Sequence, residues 1–255
     1  EDVAADYSGH GNHGAILRGI NGGLKPVGGM VGGALEFDGM DDIVEISKNA
    51  VDFGIDGAKP KTVTVWVYTH LFKDAGIFET GNRAARQNFS LRTRGGNNQW
   101  RVQYYSADSD FTFTSLNTWV HFALVYDGTT STCYANGTAL VPTARALETA
   151  ANYTFQIGAY SSYRFDGVID DVRLYDKALT QEEVQAMIAR PDPLKAWGPS
   201  PAVGAATDAL KAVPFTWQAG DGAVQHDIYL GTDAATVAGA DASDATGIYR
   251  GRLDV

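Results

Sequence analysis

The stretch Thr62-Val63-Thr64-Val65-Trp66-Val67-Tyr68 decides the fold. β-Branched and aromatic residues dominate it with a period of two, the signature of a strand that presents alternate side chains to two faces. Outward from it the same pattern recurs. Residues 35–37 and 43–46 flank the turn Asp38-Gly39-Met40-Asp41-Asp42. Phe89, Leu91 and Thr93 alternate with Ser90, Arg92 and Arg94, and Trp100, Val102 and Tyr104 alternate with Arg101, Gln103 and Tyr105. Residues 119–126 end in Asp127-Gly128 and residues 132–135 in Asn136-Gly137, dipeptides that favour tight hairpins. Runs at 155–158 and 168–175 bring the total to about ten short strands, which predicts an antiparallel sandwich or barrel. A single helix is expected where the capping box Thr180-Gln181-Glu182-Glu183 precedes Val184, Met187 and Ile188, with Pro191 and Pro193 stopping it.

Composition narrows the classes. The 255 residues, 44% hydrophobic with 29 glycines, fit one domain of about 200 residues and a smaller piece. Cys133 is the sole cysteine, which excludes intrachain disulfides and cysteine-based zinc sites. A net charge of −10 argues against nucleic-acid binding, and no apolar run is long enough for a transmembrane helix. The Pro/Gly-rich stretch Trp197-Gly198-Pro199-Ser200-Pro201 reads as a domain boundary. The expected organisation is a β-sandwich over 1–190, a linker over 191–201, and over 202–255 part of a second small β domain with strands at 213–217 and 225–230.

Four stretches resemble one family. Asp6-Tyr7-Ser8-Gly9-His10-Gly11-Asn12-His13-Gly14 is similar to the opening loop of laminin-G-like, concanavalin-A-like jelly-roll modules. Gly33-Ala34-Leu35-Glu36-Phe37-Asp38-Gly39 with Asp41, Asp42 and Val44 resembles their next motif. Trp119 through Gly128 (W-V-H-F-A-L-V-Y-D-G) and Phe165 through Tyr175 resemble the two that follow, in the family's order. The resemblance implies an all-β, two-sheet antiparallel jelly roll with one short C-terminal helix. Residues 199–232 look like the first half of a fibronectin type III-like module, so both ends look truncated. Such modules are usually parts of larger secreted or cell-surface bacterial proteins, and a monomeric module is expected.

The same resemblance implies a structural calcium ion where the opening loop meets Asp170, held by Asp6, Asn12, Asp170 and carbonyls near His13 and Gly39. Oxygen donors on a sharply turning backbone suit calcium. The competing reading gives Asp6 and Asn12 to local turns and Asp170 to backbone amides. Gly9 through Gly14 also match G-x-G-x-x-G, but Gly19, Gly22 and Gly23 forbid the helix a dinucleotide fingerprint needs. Catalysis finds little support: the histidines are scattered, and no credible pair of carboxylates for glycoside hydrolysis stands out. Between Glu79 and Asp108 lie five arginines and no acid. Alternation puts Arg92, Arg94, Arg101, Gln103 and Tyr105 on one outer face, a candidate surface for a glycan, an anionic polysaccharide in particular, since guanidinium forks grip carboxylate and sulfate. A merely solvated sheet face is the alternative. Trp66 and Trp119 are assigned to the core. Two functions follow: a non-catalytic carbohydrate-binding module, or an adhesion or spacer domain with a protein partner or none.

Overall fold

The computed structural model describes residues 3–17, 24–95, 98–106, 108–140, 143–189, 197–200, 216–218, 223–233, 236–237, 240–243 and 246–254. The chain divides into two compact units, Glu1–Pro191 and Asp192–Val255.

The first unit is a two-sheet antiparallel sandwich. Its first sheet runs β1 (Val3–Ala4), β2 (Gly14–Leu17), β5 (Ile43–Asn49), β15 (Tyr153–Ile157), β7 (Ala75–Gly81), β8 (Asn88–Arg94), β9 (Gln99–Gln103) and β10 (Ser109–Thr112). The second runs β13 (Thr138–Ala139), β12 (Thr130–Ala135), β11 (Trp119–Tyr126), β6 (Lys61–Thr69), β18 (Asp166–Tyr175), β4 (Gly33–Asp38) and β3 (Lys25–Gly28), with β14 (Thr143–Ala144) also paired to β12. The alternation of 62–68 explains the centre of the second sheet. Val63, Val65 and Val67 enter the core with Phe122 and Leu124 of β11. Thr62, Thr64 and Trp66 turn the other way and are buried on the outer side. From the first sheet, Phe78, Phe89, Leu91, Trp100, Val102, Tyr104 and Phe155 complete the core, and Trp100 packs 4.4 Å from Phe122, centroid to centroid.

The helix α1 (Gln181–Ala189) starts as the capping box requires: the Glu183 amide donates to Thr180 Oγ1 at 3.2 Å, and Glu183 Oε2 accepts from the Thr180 amide at 2.8 Å. Its buried Val184 packs with Leu179 on Ala123 and Val125, on the outer side of the second sheet. Trp66 lies on that same side, edge-on to His121 at 5.1 Å, and Trp119 is half-buried against Tyr68. Trp66 is buried as expected, though on the outer side of the second sheet, where the even-numbered positions of β6 face; Trp119 is only half-buried.

After β15 the chain makes a short hairpin that the alternation pattern missed, β16 (Ala159–Tyr160) and β17 (Tyr163–Arg164). It leaves β15 at Gly158, where φ is +78° and a Cβ would meet the Phe37 ring at 2.1 Å. It then crosses β7 at Gly76, where a Cβ would meet the Ala159 backbone at 2.1 Å. Two glycines thus let the hairpin lie flat on the outer face of the first sheet.

In the second unit, β19 (Trp197–Ser200) pairs with β20 (Thr216–Gln218), and β21 (Gln225–Tyr229) with β22 (Tyr249–Asp254). Part of the expected linker is therefore a strand. The rest of that linker, and part of the strand expected at 213–217, lie outside the described residues.

Candidate functional site

The outer face of β7, β8 and β9 carries Glu79, Ser90, Arg92, Arg101 and Gln103, as alternation requires, and the hairpin covers part of it. The result is not the open basic face expected. Arg92 and Gln103 are buried, and the hairpin tyrosines Tyr160 and Tyr163 lie over the Arg92 guanidinium. Arg92 bonds Asp74 at 2.7 Å and Gln103 Oε1 at 3.4 Å, and Gln103 Nε2 donates to Asp108 at 2.8 Å. Arg101 forks onto Asp110 at 2.5 and 2.7 Å and reaches Asp108 at 3.3 Å. That contact holds the Asp110 carboxyl below the usual carboxylate range, against the smaller effect of burial. Arg94 is partly exposed, 4.0 Å from Asp74. Arg83 grips the buried Glu79 at 2.7 and 3.0 Å.

Above these ion pairs stands a column of rings. The Arg83 guanidinium lies 4.7 Å from the Tyr153 ring and 5.7 Å from Tyr160; that of Arg92 lies 4.5 Å from Tyr160 and 5.1 Å from Tyr163. Tyrosine and guanidinium therefore alternate, each cation facing the electron-rich face of a ring. Tyr105 stacks on Tyr160 at 6.4 Å and 28°, and Tyr160 on Tyr163 at 6.5 Å and 14°. Tyr160 is buried, and burial together with its hydrogen bond to Tyr105 raises its phenol pKa; Tyr153 and Tyr163 remain exposed. Tyr105, Ser106 and Ser161 all hold positive φ, at 56°, 77° and 57°. Such backbone is uncommon outside glycine and is held here by its surroundings. The Tyr105 carbonyl, for instance, accepts the Arg86 amide at 3.0 Å.

Of the expected surface residues, Arg94, Arg101 and Tyr105 are at least partly accessible, whereas Arg92 and Gln103 support the site from below. Sequence reasoning missed Tyr153, Tyr160, Tyr163 and the carboxylates Asp74 and Asp110. The pattern Tyr160-Ser161-Ser162-Tyr163, two aromatics flanking a two-residue turn, was the available hint.

The expected calcium donors do not converge. Asp166 pairs with Asp38 and Ile169 with Leu35, so Asp170 lies roughly 13 Å along the ladder from the Gly39 end. Gly39 cannot share an ion with it. Asp170 is buried and accepts the Val31 amide at 2.8 Å; burial raises its carboxyl pKa. Asp6 accepts the amides of Ser8 at 2.8 Å and Asn12 at 2.7 Å, and these bonds outweigh burial and lower its pKa. Asn12 Oδ1 accepts the Lys48 ammonium, and His13 Nδ1 accepts the Asp6 amide at 3.0 Å. Lys73 donates to the Gly39 carbonyl at 2.6 Å. Two ammonium groups and a set of backbone amides thus take the oxygens a cation would need, and these five residues do not fit one. Oxygens of Asp38, Asp41 and Asp42 do come within 4.8 Å of one another. Asp42 is fully buried there, and burial raises its carboxyl pKa.

Residues 38–185 match a family model described as the concanavalin A-like lectin/glucanases superfamily. No curated protein sequence matches the chain. Among solved structures, domain 4 of AbnA, a GH43 extracellular arabinanase from Geobacillus stearothermophilus in complex with arabinotriose, is 22% identical with a TM-score of 0.55, covering 69% of this chain and 87% of that one. The binding domain of botulinum neurotoxin serotype D is 15% identical with a TM-score of 0.52, over 71% of this chain and 47% of its own. Trypanosoma rangeli sialidase is 16% identical with a TM-score of 0.54, over 69% of this chain and 29% of its own. The chain thus spans about half of the toxin domain and less than a third of the sialidase. At these identities the likeness is one of fold. Among the described residues no helix is long and apolar enough to cross a membrane.

Proposed function

Because the chain belongs to the concanavalin A-like lectin/glucanases superfamily, we propose that its first unit is a non-catalytic carbohydrate-binding domain of a larger secreted or cell-surface protein, holding sugar on the tyrosine column of the first sheet. The observation that carries this reading is the column itself. Exposed rings at Tyr153 and Tyr163 lie on the guanidiniums of Arg83 and Arg92, which also face the buried Tyr160, and the half-buried Tyr105 stacks on Tyr160. Sugar rings bind aromatic faces, with polar side chains around them fixing orientation. Of the three structures compared, one is a domain in complex with arabinotriose, which supports a glycan as the ligand class. The second unit we read as fibronectin type III-like, on its sequence resemblance.

The non-catalytic reading rests on how the carboxylates of this face are used. Usual glycoside hydrolysis needs one carboxyl that keeps a proton and a second poised as base or nucleophile. Glu79, Asp74, Asp108 and Asp110 are each engaged by arginine, and at Asp110 that contact holds the carboxyl below the usual range, so none stands free for either role. The experiment is binding of the purified chain to immobilised polysaccharides, with Tyr163→Ala as control. Retention that this variant loses supports the proposal. Absence of any retention returns the domain to the adhesion or spacer reading, which pull-down with host-surface and matrix proteins then addresses.

A further inference from the structure

We infer that Glu79 is the positioning residue of this face: a carboxylate too deeply buried to touch a ligand, which holds both the cation against Tyr153 and the turn that carries Tyr160 and Tyr163. The inference rests on the proposal that the face binds sugar. Glu79 points outward from β7, and its side chain is 1% exposed. Its Oε1 accepts Arg83 Nε at 3.0 Å and Asn88 Nδ2 at 3.1 Å; its Oε2 accepts Arg83 Nη2 at 2.7 Å and the Ser161 amide at 3.3 Å. A carboxylate has about four acceptor sites, and donors from three separate parts of the chain fill them. Asn88 is itself fully buried, and its Oδ1 accepts the Ser90 hydroxyl at 2.5 Å, so the carboxylate is supported from below.

These bonds have consequences at the surface. The two-pronged grip fixes the plane of the Arg83 guanidinium, and a cation so fixed stays 4.7 Å from the Tyr153 ring and 5.7 Å from Tyr160. The Ser161 amide belongs to the Tyr160-Ser161-Ser162-Tyr163 turn, where Ser161 holds a φ of +57° that is uncommon outside glycine. One carboxylate therefore reaches both ends of the tyrosine column. Stability alone does not call for such a pair, because apolar side chains of similar volume often replace a buried ion pair at no loss. An apolar pair could neither orient the guanidinium against the rings nor bond the turn amide. Rings ordered before the ligand arrives leave less ordering to binding.

The test compares the parent chain with Glu79→Gln and with the double variant Glu79→Gln/Arg83→Met on immobilised xylan, glucomannan, dextran, polygalacturonate and dextran sulfate. Thermal melting and amide exchange over residues 159–164 are measured on each chain. Glu79→Gln keeps the side-chain shape but leaves Arg83 without its counter-charge. Expected are a melting temperature lower by roughly 5–10 °C, faster exchange at Ser161, and retention weakened about tenfold on whichever probe holds the parent, the cost of ordering two rings that are no longer held. The double variant removes the unpaired cation. It is expected to melt within about 3 °C of the parent, while exchange stays fast and retention stays weak. A double variant that regains retention along with stability, or Glu79→Gln retained like the parent, assigns the pair to stability alone; either overturns the inference and leaves the sugar-binding proposal standing. Lost retention with Ser161 exchanging at the parental rate overturns it too, because the turn is then not held by Glu79. A parent chain retained on no probe removes the sugar-binding proposal and this inference with it.

Discussion

Lys61 offers the sharpest physical test of the sandwich. It begins β6, is fully buried, and donates to the Gly57 carbonyl at 3.0 Å and Thr149 Oγ1 at 2.8 Å, with the Tyr126 and Phe89 rings 5.2 and 5.8 Å from its ammonium. Burial lowers its pKa from 10.5 to about 7, with Asp56 only partly opposing. Above pH 10.5 neither the folded nor the unfolded chain carries this proton, and the site costs nothing. Between there and pH 7 the unfolded chain holds a proton that the folded chain lacks, so stability falls as pH falls, by about 1.4 kcal/mol per pH unit. Below pH 7 both states are charged and the cost is constant, about 4–5 kcal/mol by the same conversion. Near pH 9 Cys133 begins to act in the other direction, because burial raises its thiol to about 12. The clean window is therefore pH 7 to 8.5. Lys61→Met should flatten the rise in stability across that window and raise stability at pH 7 by about 1–4 kcal/mol, as apolar replacements of buried charge do. The Gly57 carbonyl keeps its bond from the Thr149 amide at 3.1 Å. Urea unfolding of both chains at the two pH values measures this. Parallel pH dependence in variant and parent would refute the buried, deprotonating lysine.

Further expectations concern acid, the hairpin and metal. Burial, and secondarily Arg173, lower His121 to about 4. Its folded pKa is depressed, so stability is lost as pH falls from 6.5 to 4, by about 3 kcal/mol in all. His121→Phe, which keeps the edge contact with Trp66, should remove that acid slope in melting curves; a slope unchanged from the parent would reject the assignment. Gly76→Ala drives a methyl into the Ala159 backbone and should cost about 1–3 kcal/mol by overpacking while abolishing polysaccharide retention, because the hairpin carries Tyr160 and Tyr163. Retention at parental strength would show that the hairpin is not part of the site. Chelator should leave the melting temperature where millimolar calcium leaves it, since Lys48 and Lys73 occupy the expected donors. A clear rise with calcium would mean that an ion binds the folded state and that those lysines yield to it.

The fold was legible because a period of two is local. Thr62 to Tyr68 and Trp119 to Tyr126 announce themselves, and Thr180 to Glu183 spell out a helix start within four residues. The site was only half legible, for a reason the arginines show. Arg92, Arg94 and Arg101 form a run free of acids along the chain, but a strand's neighbours in space are other strands. Their carboxylates come from Asp74, immediately before β7, and from Asp108 and Asp110 around β10. Burial was equally hidden, because alternation assigns a face without saying whether something lies on it; here the hairpin does. Gly39 failed as a partner for Asp170 because motif order says nothing about which end of a strand a turn occupies.

The most direct measurement is a crystal structure of the first unit with a short oligosaccharide cut from whichever immobilised polysaccharide the chain retains. Sugar rings lying on Tyr163 and Tyr105 are the predicted result. Sugar bound at a loop edge away from β8 and β9, with the tyrosine column untouched, would contradict it.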